Sequence, residues 1–173
     1  MIGLKFEVVA SDYKENMNLK MKPRELAKFL SSKKAEAVAK KFSNTLIISA
    51  DTFIVFKGKL FGKAKTADEA KQMLSELKGQ VHEAITGFTI IDTQTKKKIS
   101  KTEITKVWIK NLTVEEIDSY TRTGEPIGAA GAYMIQNRGA VLIEKIEGDY
   151  FNIVGLPIFS VVKELKKFNI FVL

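Results

Sequence analysis

Apolar residues recur along the chain with two periods, and the switches between them predict the elements. Residues 4 to 10 (Leu-Lys-Phe-Glu-Val-Val-Ala) alternate and predict a strand. Pro23 then opens a helix reaching about Lys41, since proline suits a first helical turn. Leu26, Phe29, Leu30, Ala37 and Val38 form its apolar face, with Lys33 and Lys34 leaning toward the same side. Taken alone, these two lysines read as long side chains snorkelling from the margin of that face.

Residues 45 to 56, Thr-Leu-Ile-Ile-Ser-Ala-Asp-Thr-Phe-Ile-Val-Phe, predict a buried strand. Lys57-Gly58 supplies a hairpin turn, and Lys59 to Phe61 returns. A second helix is expected from Thr66, a suitable N-cap, to Lys78, with Gly79 ending it. Strands follow at about 80 to 92 and 98 to 109, joined by a polar turn. Thr113-Val-Glu-Glu116 has the form of a capping box before a short helix through Tyr120. Pro157 opens a last helix, with Val161, Val162 and Leu165 inward. The pattern predicts one α/β domain over residues 1 to 173, with a mixed sheet, flanking helices and two lobes.

Two places break the pattern. Asp51 stands in an otherwise apolar or small run, where an ionised carboxylate is costly unless a cation, hydrogen bonds or water compensate. Residues 124 to 157 hold six of the eleven glycines and two of the three prolines. Glycine at that density serves either close approach to a ligand or tight turns between short strands.

Composition narrows the chemistry. The chain has no cysteine and one histidine, His82, which excludes disulfides and the usual zinc sites. His82 reads as a hydrogen-bonded structural residue, so a catalytic triad has no base. Neither a Walker loop nor a Gly-x-Gly-x-x-Gly is present. No apolar run approaches the roughly 20 residues of a membrane span, and no signal peptide is evident, so a cytoplasmic protein is expected. The net charge of +8 suits a polyanionic partner, but the lysines are dispersed. The longest basic run, Lys96 to Lys98, falls in the predicted turn, and no aromatics interleave with a basic stripe, so no nucleic-acid partner is expected. A hard cation held by carboxylates stays open, because Mg²⁺ needs only one or two of them plus substrate phosphates. Asp51, the hydroxyls of Ser49 and Thr52, Lys63 in Gly62-Lys63, and Gln136 in the glycine-rich region then point to phosphate-ester or anhydride hydrolysis.

The ordered motifs are more specific. Lys34-Ala-Glu-Ala-Val-Ala39, Ala50-Asp-Thr52, Gly62-Lys63, Glu69-Ala70, Met73-Leu74, Gly79, His82 and Thr86-Gly87 are followed by Gly124-Glu-Pro126 and Ala130-Gly-Ala-Tyr133. Ile135-Gln136, Ile146-Glu-Gly-Asp-Tyr150 and Val154-Gly-Leu-Pro157 complete the set. From Leu4 onward the chain resembles the Maf family of nucleoside triphosphate pyrophosphatases, which implies a Maf/ITPase-like α/β fold: a mixed, strongly twisted sheet with flanking helices and two lobes around a cleft.

The resemblance implies hydrolysis of a nucleoside triphosphate to the monophosphate and pyrophosphate with a divalent cation, Mg²⁺ or Mn²⁺, in the service of clearing the nucleotide pool. It makes Asp51 the proton acceptor and a metal ligand, and Glu15 an acid facing the metal or phosphates. It ties Thr52 and Gln136 to base selection and turns Lys34 and Lys63 toward phosphates, leaving only Lys33 as a snorkelling residue. Ala-Tyr-x-Ile-Gln resembles the branch acting on dTTP and UTP. A homodimer is implied as well.

Departures are Ala64 for a usual proline, Thr66 for an acid, Ala129 for a lysine and Met134 for a glycine. The family's first strand and its Ser-rich loop with paired arginines have no counterpart here. The favoured expectation is that the start lies further upstream. The alternative is a catalytically impaired nucleotide-binding or division-regulating homologue.

Overall fold

A computed structural model describes residues 2–14 and 19–172. Among these residues, five strands form one sheet in the order β2-β1-β3-β4-β5, comprising β1 (Leu46–Phe56), β2 (Lys59–Phe61), β3 (Val81–Asp92), β4 (Lys98–Ile109) and β5 (Ile143–Glu147). Every pairing in the sheet is antiparallel, and mixed direction is confined to an isolated parallel bridge between Ala64 and Ile127. Lys57 and Gly58 both take positive φ, 47° and 77°, giving the hairpin turn whose twist suits β1 and β2.

Helix α1 (Pro23–Ala39) covers one sheet face. It meets the sheet at Gly87, where an added Cβ would lie 2.2 Å from the carbonyl carbon and oxygen of Ala27. The helix face expected from periodicity is turned slightly in the fold. Leu26, Ala27, Leu30, Ser31, Ser32, Ala35 and Val38 are buried, while Phe29 and Ala37 are partly exposed. Ser31 goes inward because β3 offers it a partner, Thr89 Oγ1 at 3.0 Å, and Thr89 in turn bonds Ser100 at 2.9 Å. Lys33 stays at the margin, paired with Glu36 at 2.9 Å.

The opposite face carries α4 (Tyr150–Val154) and α5 (Ile158–Leu165). Val161 and Leu165 pack on Phe88 and Ile90. At one end of the sheet, α2 (Ala67–Leu77) and α3 (Val114–Arg122) join the glycine-rich segment in a second body of core around Leu74, Leu77, Ile109, Tyr120 and Tyr133. The two expected caps form: Thr66 accepts from Glu69 N–H at 3.2 Å, and Thr113 with Glu116 makes a reciprocal capping box. Thr66 therefore has a use of its own where an acid is usual, and Ala64 is fully buried beside the core it joins.

One sequence expectation is overturned. Residues 4 to 10 join no ladder. Leu4 packs against the Phe88–Leu165 cluster, yet Phe6 and Val8 are exposed, so the alternating side chains have no apolar surface to bury against. The glycine-rich region hides two elements that its composition obscured, β5 and the short α4, the latter ended by Gly155 at φ 119°.

Candidate active site

β2 pairs only with Ile54 to Phe56. Among the described residues no strand covers the outer edge of β1 from Leu46 to Phe53. Asp51 and Thr52 sit on that stretch of β1. They point to opposite faces, as successive strand residues must, and both line one cleft. The cleft has a volume of about 430 Å³ and runs between Ala50–Ile54, the segment 127–136 and the end of α4 at Gly155.

Asp51 lies opposite Gly87 in the β1–β3 ladder, and so on the α1 face. Lys34, two helical turns beyond Ala27, reaches from α1 to place Nζ 3.1 Å from Asp51 Oδ1. Both side chains are largely covered, at 21% and 11% exposure. The ammonium thus offsets the cost of a carboxylate in this apolar strand, and the charge that looked misplaced in sequence is one half of an ion pair.

Thr52 lies opposite Thr86 on the other face, with the two hydroxyl oxygens 2.8 Å apart. Lys63 is exposed at the cleft wall, where its backbone forms an antiparallel bridge with Ala130. Gly128 N–H donates to Ala64 O at 2.8 Å and Gly131 N–H to Gly62 O at 3.1 Å, so residues 62–64 carry the glycine-rich wall. Gly131 has φ 69°, and its missing side chain leaves room for Ile54, whose Cγ1 would be 2.9 Å from an added Cβ. Gln136 lies in a turn at the exposed rim of the same cleft. The structure therefore brings together Asp51, Thr52, Lys63 and Gln136, with Lys34 joined through Asp51. Glu15 lies outside the described residues. Ala129 and Met134, two departures from the family pattern, line the cleft directly.

Residues that hold the wall were not singled out by sequence reasoning. The Glu125 carboxylate accepts from Tyr120 Oη at 2.8 Å, Gly139 N–H at 2.8 Å and Arg138 N–H at 3.1 Å. Burial raises its pKa, but these hydrogen bonds outweigh burial and leave it below the usual carboxylate range. Tyr120 Oη also accepts from Met134 N–H at 3.1 Å, which ties the clamp to the cleft lining. The signal was present in Gly124-Glu-Pro126, but a surface carboxylate has no sequence mark of its backbone partners. His82 is buried and bonds Tyr133 Oη at 2.8 Å. Burial lowers its pKa to about 4, and it does not line the cleft, in keeping with a structural histidine.

Asp51 is the carboxylate among the cleft-lining residues, and no three His, Cys, Asp or Glu side chains gather as a metal site among the described residues. That donor set fits a hard cation completed by substrate phosphates rather than one caged by protein alone. No helix among the described residues is long and apolar enough to cross a membrane.

A family model described as Maf-like protein matches residues 1–168. The chain is 47% identical over 167 residues to a protein of Methanosarcina barkeri named dTTP/UTP pyrophosphatase, covering 96% of this chain and 85% of that one. Proteins of the same name from Alkaliphilus oremlandii (46% over 160 residues, 92% and 83% covered) and Thermoanaerobacter pseudethanolicus (48% over 167 residues, 96% and 87% covered) are similarly close. With the cleft, its aspartate and its glycine-rich wall in place, the chain belongs to the Maf family.

Proposed function

We propose that the protein is a pyrophosphatase that hydrolyses dTTP and UTP to the nucleoside monophosphate and pyrophosphate. The observation that carries this reading is Asp51, fixed by Lys34 on β1 and facing a cleft large enough for a nucleotide. Relatives at 46 to 48% identity, each named dTTP/UTP pyrophosphatase, support the choice of substrate.

In this mechanism Asp51 takes the proton of a water that attacks the α-phosphorus. The bond from that phosphorus to the bridging oxygen breaks, and pyrophosphate leaves with the bond's electron pair. Lys34 and Lys63 face the phosphates and offset their charge. Lys34 also holds the Asp51 carboxylate in place until the substrate arrives. Thr52 and Gln136 contact the base from the two sides of the cleft. A divalent cation, Mg²⁺ or Mn²⁺, would be held by Asp51 and the phosphates, with Glu15 as the further acid, and would supply charge neutralisation. A cytoplasmic nucleotide-pool role follows from such an activity.

The test is release of pyrophosphate from dTTP and UTP with Mg²⁺ or Mn²⁺, with Asp51→Asn alongside. Turnover should be lost in that variant, with circular dichroism showing it folded even where the Lys34 ammonium, without its carboxylate, lowers the melting temperature. Turnover retained at the original rate would remove Asp51 from the role of base.

A further inference from the structure

Thr52 has a second hydroxyl behind it, and the proton count along the pair is fixed. Thr86 is fully buried on β3, as is Asn152 on α4. Thr86 Oγ1 lies 2.9 Å from the Asn152 carbonyl oxygen, which can only accept, so the Thr86 proton is committed there. Thr52 Oγ1 lies 2.8 Å from Thr86 Oγ1. A hydroxyl carries one proton, so Thr52 must be the donor of this second bond. Its other acceptor, Gly155 O at 3.5 Å, is too distant to compete. The far end of the chain is locked as well, because Asn152 Nδ2 donates to Ala84 O and to Thr105 Oγ1, each at 3.0 Å. Thr52 therefore turns its proton inward and shows the cleft only lone pairs.

We propose that Thr86 is a positioning residue for base recognition: it fixes the Thr52 hydroxyl as an acceptor, so that the cleft selects a base presenting an N–H, as the imide of uracil and thymine does. This rests on the reading of the cleft as a nucleotide site. Cytosine carries a bare ring nitrogen where uracil carries the imide proton, and so meets Thr52 lone pair to lone pair. Without Thr86's hydroxyl the Thr52 proton is released, and Thr52 donates to cytosine as readily as it accepts from uracil.

The experiment compares kcat and KM for UTP and CTP in the wild type, in Thr86→Val, which keeps the shape and removes the hydroxyl, and in Thr86→Ser, which keeps the hydroxyl. Thermal melts accompany each. The UTP-to-CTP ratio of kcat/KM should fall about tenfold in Thr86→Val, mainly through KM, and return toward the wild-type ratio in Thr86→Ser. A loss shared equally by both substrates, with the ratio unchanged, would mean that Thr86 serves the fold alone and would overturn the inference while leaving the pyrophosphatase reading intact. A wild type that neither binds nor turns over UTP would overturn both. Should Thr86→Val fail to fold, UTP methylated at the imide nitrogen tests the same point on the wild type. The methylated substrate should lose about tenfold or more in kcat/KM, and equal rates for the two would sink the inference.

Discussion

Gly87 is the ladder partner of Asp51, and it is also the point at which α1 touches the sheet. The two facts are connected. Because Gly87 has no side chain, α1 comes close enough for Lys34 to reach Asp51. Gly87→Ala would place a Cβ 2.2 Å from the Ala27 carbonyl and 2.4 Å from Lys28 N, both backbone atoms of a packed helix. The expected cost is at the upper end for overpacking, about 3 kcal/mol. A thermal melt should show a fall of roughly 10 °C, and pyrophosphate release should fall further than stability alone explains. An unchanged melt would mean that α1 lifts without cost.

Lys34→Gln removes the ammonium that pairs with Asp51 and that the proposed mechanism also sets against the substrate phosphates. Hydrogen bonds to charged groups carry about 1.5–3 kcal/mol, so kcat/KM for dTTP should drop roughly 10- to 100-fold. Lys33→Gln, altering the neighbouring lysine that pairs with Glu36, should leave kcat/KM within about twofold, since surface pairs contribute about 0–1 kcal/mol. Steady-state kinetics on the two variants separate the roles, and equal losses would refute the assignment of Lys34.

Glu125→Gln keeps an acceptor for Tyr120 but sets an amide NH₂ against a backbone N–H of the 138–139 turn. Tyr120 and Gly139 share one carboxylate oxygen, so the N–H that loses its acceptor is the exposed one of Arg138, and the stability cost should be about 1 kcal/mol, that of an ordinary hydrogen bond. Because Tyr120 also holds Met134 N–H, the loosened clamp should raise KM for nucleotide several-fold more than it lowers kcat. A variant with lower stability and an unchanged KM would show that the clamp does not reach the cleft.

His82 makes stability depend on pH. Burial holds its folded-state pKa at about 4, against 6.5 when unfolded. The unfolded chain therefore binds the proton first as pH falls. The histidine's contribution is fully present above pH 6.5 and is lost between 6.5 and about 4. The size is about 3 kcal/mol from the shift between the two values. Denaturant titrations across that window should show the slope, and His82→Phe should flatten it even if the loss of the Tyr133 bond lowers stability at neutral pH.

The helices and long strands were legible from local pattern because their signals are local. Pro23, the Thr66 and Thr113 caps, Gly79 and the Lys57-Gly58 turn each act within a few residues, and each appears where the sequence places it. The segment 4 to 10 was misread because alternation identifies a strand only where a neighbour accepts its hydrogen bonds and a core accepts its side chains, and Phe6 and Val8 have neither burial nor a ladder. β5 and α4 contain no glycine themselves, but Gly139, Gly148 and Gly155 bracket them so closely that each run is only five residues long, too short for its period to stand out before tertiary contacts make it regular.

By itself the sequence determined that Asp51 needed a compensating partner, that zinc and thiol chemistry were excluded, and which family's motifs the chain carries. Only the tertiary structure decided which partner Asp51 has. Lys34 lies seventeen positions away, and its approach depends on a glycine on a third element. The tertiary structure likewise decided the direction of the Thr52 proton, which is set by a carbonyl a hundred positions along the chain. Cost is legible locally, because an acid in an apolar run is unfavourable whatever the fold. Compensation depends on distance and direction in space, which residue spacing along a chain does not carry.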